Sequence, residues 1–241
     1  ITILVKTNTM KLIYSLLFVV AFFVNSRAQL GFDVGAKGQF NSTWLINKNT
    51  YNAGDEQDYS PSWGSNYGMV FGLRMGGFCT GLETNFGMHN AEFNGKTLLG
   101  DYTSKIALKT FQLPVYLRFQ NEGGAYFEIG AQYNKIKSAL YSYDGIVDGT
   151  SDESSEYAKS YSTAFIGFGV NRKIVKSVPL GIIFGVRLQY GIKDAKGVDA
   201  LGNSLSNSLL YPDYYKTRAA AAGLNFGLIY TIDTKGKESG Y

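Results

Sequence analysis

The sequence predicts an all-β protein, specifically an eight-stranded antiparallel up-and-down transmembrane β-barrel. Apolar residues recur at alternate positions along the chain after residue 28, and no helical period is sustained. The alternating segments meet the ~9–11 residues that a tilted membrane-spanning strand needs, whereas strands of soluble proteins average ~5–6. Tight turns alternate with long polar loops between these segments, which is typical of this kind of barrel.

The N-terminal residues have the three regions of a secretory signal peptide. Met10-Lys11 supplies the basic start, residues 12–24 are almost wholly apolar, and cleavage is expected between Ala28 and Gln29. This apolar run is shorter than the ~20 residues that span a bilayer, which argues against a membrane anchor. Residues before the first methionine are interpreted as upstream sequence. We therefore predict upstream residues plus a cleaved signal at 1–28, one barrel domain at 29–232 and a short periplasmic tail at 233–241.

The composition excludes several classes of function. Lys6, Lys11 and Arg27 are three of the 23 basic residues and lie where no acidic residue occurs, so 20 basic residues face 19 acidic ones after position 28. This balance removes the main support for nucleic-acid binding. A single cysteine excludes an intramolecular disulfide, and a single histidine excludes a histidine-rich metal centre. No glycine-rich phosphate loop is present either, so we expect no metal and no cofactor.

Eight strands are expected in chain order, each with one apolar set of alternate positions. Their approximate bounds are 29–45, 64–74, 77–90, 105–119, 124–139, 158–172, 178–193 and 216–232. Tight turns are expected at 75–76, 120–123 and 173–177, and long polar loops at 46–63, 91–104, 140–157 and 194–215. The alternation of loop length places all the long loops at one end of the barrel.

The outward set of each strand is apolar because lipid solvates that face. The sets include Leu30 and Phe32, Met69 and Phe71, Phe111 and Leu113, Phe127 and Ile129, Ile166 and Phe168, Phe184 and Val186, and Phe226 and Leu228. The third strand is recognised by its small and polar inward set, Gly81, Glu83, Asn85 and Gly87. Pro114 cannot donate a ladder hydrogen bond, so a bulge or an interrupted ladder is expected there. In the sixth strand Phe165 takes an inward position.

Eight charged residues have inward parity and define the main candidate site. An eight-stranded barrel is only wide enough inside for side chains to fill, and an isolated buried charge is very costly. We therefore predict a salt-bridge network that plugs the lumen, with a rare gated conductance as the alternative. Its members are Asp33, Lys37, Arg74, Glu83, Arg118, Glu128, Arg187 and Lys193, and Arg187 is expected to pair with Glu83 or Glu128.

The last strand and several short motifs resemble a known family. Asn225, Gly227, Tyr230 and Ile232 are similar in type and spacing to the insertion signal of bacterial outer-membrane barrels. The chain resembles the small outer-membrane β-barrel proteins of the Bacteroidetes, also called porin-family or PorT-like proteins. The motifs are Ala28-Gln29, residues 31–38, the Gly81-Leu82-Glu83 segment with Phe86-Gly87, and residues 111–119 around Pro114. This resemblance implies an outer-membrane location, contact with outer-membrane lipid or lipopolysaccharide, and insertion by the barrel-assembly machinery. It implies no catalytic residues.

Two other sets of residues leave functional alternatives open. His89, with Glu92, Asp101 and Ser104 nearby in sequence, is a candidate for acyl-transfer chemistry on lipid at the outer rim. No spacing supports a triad, so a non-catalytic rim histidine is favoured and no enzyme is expected. Loop tyrosines and acidic residues are typical of an interfacial girdle and solvated loops, or of a site for a partner, a sugar or divalent cations.

The sequence thus favours a structural or interaction role, as an accessory subunit of a larger outer-membrane complex and with possible contacts to other outer-membrane proteins. The alternatives are a small porin or transport protein, an outer-rim lipid-modifying enzyme, and a soluble periplasmic barrel.

Overall fold

The computed structural model describes residues 30–98, 100–145, 148–174 and 178–233. The predicted signal peptide and most of the predicted tail lie outside these residues. The strands are β1 (Leu30–Ile46), β2 (Asp58–Ser60), β3 (Trp63–Met75), β4 (Phe78–Thr97), β5 (Gly100–Gln120), β6 (Ala125–Asp144), β7 (Gly149–Asp152), β8 (Ser160–Lys173), β9 (Leu180–Gly191) and β10 (Arg218–Asp233). A short helix α1 (Lys48–Asn52) and a 3₁₀ turn (Gly54–Glu56) follow β1. Neither these nor any other helix in the described ranges has the length and apolarity to cross a membrane.

Eight of the strands close into a ring. In chain order β1, β3, β4, β5, β6, β8, β9 and β10 each pair antiparallel with the next. The ring closes because β1 also pairs with β10, from Gly31 opposite Asp233 to Ile46 opposite Arg218. The short strands β2 and β7 pair antiparallel with β4 and β6, respectively, at the end that carries the long loops. Closure leaves no open edge between the eight described strands of the ring, so the prediction of an eight-stranded antiparallel barrel is confirmed.

The two faces of the sheet are solvated differently. On β9, for example, Phe184, Val186 and Leu188 are exposed, whereas Ile183 and Arg187 are buried inside the barrel. Aromatic side chains form cross-strand pairs on the outer face near both ends of the apolar band. The ring centroids lie 5.3–5.4 Å apart in Phe78–Phe119, Phe127–Phe168, Phe86–Phe111 and Phe40–Trp63. A continuous apolar belt of this kind requires lipid around it.

The loop end is more ordered than the sequence predicts. The expected loop 91–104 is a hairpin in which β4 and β5 pair up to Thr97 opposite Gly100. The expected loop 140–157 likewise contains the end of β6 and the strand β7. These bounds were wrong because the outward residues become polar where the strands leave the apolar band. Inward residues such as Phe93 and Tyr102 remain buried and continue the alternation.

The ladder is irregular at several places, including the β5–β6 pairing at Lys109 and Thr110, and two of these places bear on the sequence predictions. The β4–β5 pairing skips Glu83 and Thr84, opposite Leu113 and Pro114, which confirms the expected interruption at the proline. At the end of β9, the backbone N–H groups of Ile192 and Lys193 both donate to the carbonyl of Ser162, at 2.8 and 3.2 Å. Two residues opposite one partner constitute a β-bulge, which turns the chain out of the regular in–out alternation.

Glycines make room for large side chains in the narrow lumen. Gly81 lies under the ring of Tyr116, and Gly130 lies under Phe165. Both aromatic side chains are buried, which confirms the inward position of Phe165. Tyr116, Tyr126, Phe165, Val70, Ile183 and Ile229 form one buried apolar cluster that crosses the barrel.

Candidate functional site: the closed lumen and its cap

An ionic network of five side chains crosses the lumen at mid-barrel. Arg187 on β9 bridges Glu83 and Glu128, with its Nη2 atom 2.9 Å and 2.7 Å from their respective Oε1 atoms. Lys37 Nζ lies 2.8 Å from Glu83 Oε1, and Arg118 Nη2 lies 2.8 Å from Glu128 Oε2. The side chains of all five are at most 2% exposed. Five strands of the ring, β1, β4, β5, β6 and β9, are therefore linked through buried ion pairs.

Aromatic rings hold the guanidinium groups in place. Arg118 lies over the rings of Tyr116 and Tyr126, at 4.7 Å and 4.5 Å from their centroids. Arg187 lies over Phe165 at 4.1 Å. Such cation–π contacts are strongest where water is excluded. The charged groups and the apolar cluster together fill the interior as a single plug.

The other three predicted members lie elsewhere. Asp33 and Arg74 form a separate pair nearer the turn end, with Nη2 2.8 Å from Oδ2, and Thr231 donates to Asp33 at 2.7 Å. Lys193 is exposed and takes no part in the ion pairs of the described residues. The prediction that it belongs to the lumen network was wrong because the bulge at Ile192 and Lys193 reverses its facing.

The predicted insertion-signal residues all lie on β10. Asn225 is fully buried and accepts a hydrogen bond from Tyr126 at 3.2 Å, while Gly227 lies opposite Lys37. Tyr230 and Ile232 face outward in the apolar band. The first two therefore also have a packing role beside the network, and their role in membrane insertion remains a prediction.

A cap formed by loop residues and by the ends of strands closes the end of the lumen that carries the long loops. Its apolar members include Phe93, Tyr102, Tyr141, Tyr157 and Val198, which are all buried. The cap is anchored to the strands by hydrogen bonds to backbone carbonyls. Ser104 and Tyr141 donate to the carbonyl of Ala200 at 2.6 and 3.0 Å, and Tyr102 donates to that of Glu56 at 2.6 Å.

The carboxylate of Asp199 organises the longest loop, between β9 and β10. It is fully buried and accepts from the backbone N–H groups of Leu201 and Asn203, both at 2.8 Å. Its other oxygen accepts from Gln57 at 3.4 Å and from the hydroxyl of Tyr211. Asp199 therefore joins this loop to the one that follows β1. Sequence reasoning missed it, because an aspartate among polar loop residues carries no distinguishing signal.

Two tyrosines of the same loop are held in their protonated form. Burial, followed by the hydrogen bond to Asp199, raises the pKa of Tyr211. Burial and the hydrogen bond to Asp194 raise the pKa of Tyr214 to about 12. The pKa of each phenol is about 10 in the unfolded chain and higher in the folded protein. Their protonated hydroxyls therefore stabilise the cap at pH values below about 10. That contribution is lost as the pH rises towards the folded-state values.

The rim triad predicted as an alternative is not assembled. His89 Nε2 lies 2.9 Å from the carbonyl oxygen of Trp44, and its ring packs edge-on against Tyr161. Glu92 pairs with Lys105 at 2.8 Å, and Ser104 donates to Ala200. Asp101 is exposed near the tip of the β4–β5 hairpin. The histidine therefore has a backbone partner in place of a nucleophile and an orienting acid.

A closed ring of strands, an apolar outer belt and a charged interior define an integral membrane β-barrel. Residues 23–197 match the family model described as outer membrane protein beta-barrel domain. The match spans well over half of the chain, which therefore belongs to this family. The protein is located in the bacterial outer membrane.

Several solved structures are similar to this chain at low sequence identity. Neisserial surface protein A is 11% identical, with 83% of this chain and 96% of that chain covered and a TM-score of 0.41. Ail, the attachment invasion locus protein of Yersinia pestis, solved with the heparin analogue sucrose octasulfate, is 8% identical, with 83% and 99% covered and a TM-score of 0.38. The outer membrane protease OmpT from Escherichia coli is 11% identical, with 85% and 97% covered and a TM-score of 0.33. A comparison with curated proteins finds no match.

Replacing Arg187 with Leu is expected to destabilise the barrel. The change leaves Glu83 and Glu128 buried with one cation fewer each, at a cost of ~3–5 kcal/mol. The free energy of unfolding in urea, followed by the fluorescence of Trp44 and Trp63 in lipid vesicles, measures it. Arg172→Leu is the matched control, because Arg172 is exposed on the outer face at the turn end. An equal effect of the two substitutions would show that Arg187 is solvated.

Replacing Asp199 with Ala is expected to open the cap without opening the barrel. The donors that now bind its carboxylate lose their acceptor, and each buried donor left unpaired costs about 1–3 kcal/mol. Limited proteolysis of the folded protein should then cut the β9–β10 loop faster, while the barrel still migrates as a folded species on unboiled gels. Asp213→Ala, in an exposed part of the same loop, should leave the cleavage rate unchanged. Equal rates in all three proteins would contradict an anchoring role for Asp199.

Proposed function

We propose that this protein is a closed, non-conducting outer-membrane barrel that acts through its extracellular cap. The ionic network carries the proposal, because its charged groups are buried and paired across the lumen. A water-filled channel would require these groups to be solvated instead. The role is that of a structural or interaction protein, as an accessory subunit of a larger outer-membrane complex. Within the family, we assign it to the Bacteroidetes-type PorT-like proteins on the strength of its sequence motifs.

The cap presents apolar side chains to the exterior while its own core is buried. Leu209 is 91% exposed, Leu210 is 53% exposed, and both lie in the β9–β10 loop. Tyr51 in α1 and Leu98 at the tip of the β4–β5 hairpin are also exposed. Apolar side chains on an ordered surface away from the lipid belt are typical of protein contact sites. These residues support a protein partner at the cell surface.

Lipid is the second partner that we propose, together with the barrel-assembly machinery during insertion. The apolar belt contacts acyl chains. Lysines on the outer face lie nearer the loop end than this belt. Lys109 is the next outward-facing residue after Phe111 in that direction on β5, and Lys135 is the next after Tyr133 on β6. A cation at that level meets the phosphate groups of outer-leaflet lipid. We propose no catalytic role, since the described residues around His89 supply neither a nucleophile nor an acid to it.

Purified protein in planar bilayers should give no steady channels. The buried plug must be broken before ions can pass, and breaking it costs several kcal/mol. Single-channel recording at increasing voltage measures this, with an established porin inserted into the same bilayers as the positive control. Large, steady conductance by the wild-type protein would refute the closed barrel and favour a small porin.

Replacing Leu209 with Ser should weaken partner binding without affecting the fold. Removing an exposed apolar anchor from a contact site reduces affinity by about tenfold. Site-specific photo-crosslinking from position 210 in intact cells should yield a defined adduct in the wild-type background and lose it in a Leu209→Ser variant. Ser206→Ala, an exposed change in the same loop, is the control that should keep the adduct. No adduct from any loop position would contradict the interaction role.

A further inference from the structure

Four lysines lie close together on the outer face, at the boundary between the apolar belt and the loop end. Lys109 is on β5, Lys135 and Lys137 are on β6, and Lys159 directly precedes β8. All four are exposed, and none of them forms an ion pair with another described residue. These four residues are the lysine cluster.

A β-bulge places one of these lysines outside the regular ladder. Lys109 pairs with Ser138, whereas the next pair joins Thr110 to Ile136. Lys137 is therefore the extra residue of β6 and has no ladder partner within β5. Since it lies between two paired residues, its exposed side chain is beside that of Lys109.

The other two lysines are joined through the neighbouring strand. Lys135 pairs with Ser160 of β8, and the backbone N–H of Ile136 donates to the carbonyl of Lys159 at 3.1 Å. Neighbouring strands are about 4.8 Å apart, and diagonal neighbours on one face are about 7–8 Å apart. The long side chains of the lysine cluster are therefore close enough to bind the same anionic headgroup.

Other parts of the ring lack such cations on the outer face. The outward positions of β1 and of β3 carry no charged residue. At the loop end of that side, Phe40 stacks on Trp63 with ring centroids 5.3 Å apart. A general attraction to an anionic membrane surface requires no such concentration of charge. The one-sided lysine cluster therefore favours a particular bound lipid.

The surface next to the cluster on the membrane side is apolar. Phe111 is the next outward residue after Lys109 towards the turn end, and Tyr133, which is 45% exposed, is the next after Lys135. Acyl chains solvate this surface. A lysine at such a boundary lays its methylene stem on apolar surface and keeps its ammonium group at the level of the lipid headgroups.

A polar groove of about 750 Å³ lies on the same outer face nearer the loop end. Thr103 and Ser142 line it, together with the ion pair of Glu92 and Lys105, whose atoms are 2.8 Å apart. Lys105 precedes Lys109 by four residues, which is about 13 Å along a strand. Hydroxyl, carboxylate and ammonium groups form hydrogen bonds with sugar hydroxyls. The groove is therefore suited to a glycan.

Acidic residues on this side of the barrel lie in the groove and the loops. Asp144 and Asp148 line the groove, and Glu153 accepts a hydrogen bond from Ser151 at 2.7 Å. Residues 104–120, 129–143 and 159–173 contain no acidic residue. An anionic group bound at the lysine cluster therefore meets no like charge from the strands that carry the lysines.

We propose that the outer face of β4, β5, β6 and β8 binds one molecule of lipopolysaccharide. Its acyl chains lie on the apolar belt, its phosphates contact the lysine cluster, and its sugars occupy the groove. The order of these three surfaces from the membrane outwards matches the order of the groups in a phosphorylated glycolipid. Ammonium–phosphate contacts are charge-assisted and supply the affinity. This inference rests on the proposed function, in which outer-leaflet lipid is a partner, and identifies the surface that holds it.

The test measures lipid affinity for the protein refolded in non-ionic detergent micelles. Fluorescent lipid A is the probe. The competitors are unlabelled lipid A with both phosphates, the same lipid without phosphates, and lipopolysaccharide with its core sugars. For the wild type, removal of the phosphates should weaken competition by about tenfold or more. The core sugars should strengthen it.

Two variants separate the phosphate contacts from the sugar contacts. Lys109→Gln combined with Lys137→Gln should weaken lipid A binding by about 25-fold, because each lysine near a lipid surface contributes about fivefold. Thr103→Trp fills the groove, so it should keep the affinity for lipid A and lose the gain from the core sugars. Lys96→Gln combined with Lys173→Gln is the matched control. These exposed lysines lie at a hairpin tip and at the turn end, and their loss should leave all affinities unchanged.

Three results would overturn the proposal. Equal affinities in the Lys109/Lys137 variant and the control would exclude the lysine cluster and leave lipid as a partner elsewhere on the belt. A wild-type protein that binds no lipid A would also refute the lipid part of the proposed function, while the conductance and cross-linking tests of the closed barrel and cap stay independent. Displacement by inorganic phosphate, but not by chloride at equal ionic strength, would indicate a site for the free ion. The phosphate-free lipid tests the same contacts on the wild type if a variant fails to fold.

Discussion

The narrow interior of an eight-stranded ring is the constraint on which the rest of this structure depends. Inward side chains must be packed and inward charges must be paired, because no water-filled channel remains to solvate them. Glycines such as Gly81 and Gly130 create space, and Tyr116 and Phe165 fill it. Arg187 can occupy the centre only because Glu83 and Glu128 reach it from two other strands. The ion pairs and the aromatic packing therefore close the lumen together.

The barrel is also closed at its loop end, again by buried side chains and hydrogen bonds. Long polar loops would leave the barrel open at the outer surface, yet here they fold over it with a buried aromatic core. Asp199 satisfies backbone donors of its own loop and also contacts Gln57 in another loop. Chain segments far apart in sequence are thus fixed relative to each other. An ordered cap of this kind can present exposed residues such as Leu209 in a defined position, which a flexible loop would not do.

Much of the fold is predictable because its signals are local. Period-two alternation, strand length and the order of short and long connections each require only neighbouring residues, and together they predict the eight strands and their facing. The prediction of the lumen charges worked for the same reason, since parity alone places Lys37, Glu83, Arg118, Glu128 and Arg187 inside. It failed for Lys193, because a two-residue bulge reverses parity and leaves no trace in the residue types. The expected pairing of Arg187 with Glu83 or Glu128 is confirmed. The partners of the other charges were not predicted, because they depend on the register between strands.

By itself the sequence determined the class of fold, the direction of each strand face and the set of residues available to close the lumen. Only the tertiary structure decided which acid meets which base, where the strands extend beyond the apolar band, and how the loops lock together. The physical reason is the range of the interactions. Alternation reflects the solvent on either side of one strand, whereas ion pairs, bulges and the Asp199 contacts depend on atoms brought together by ring closure.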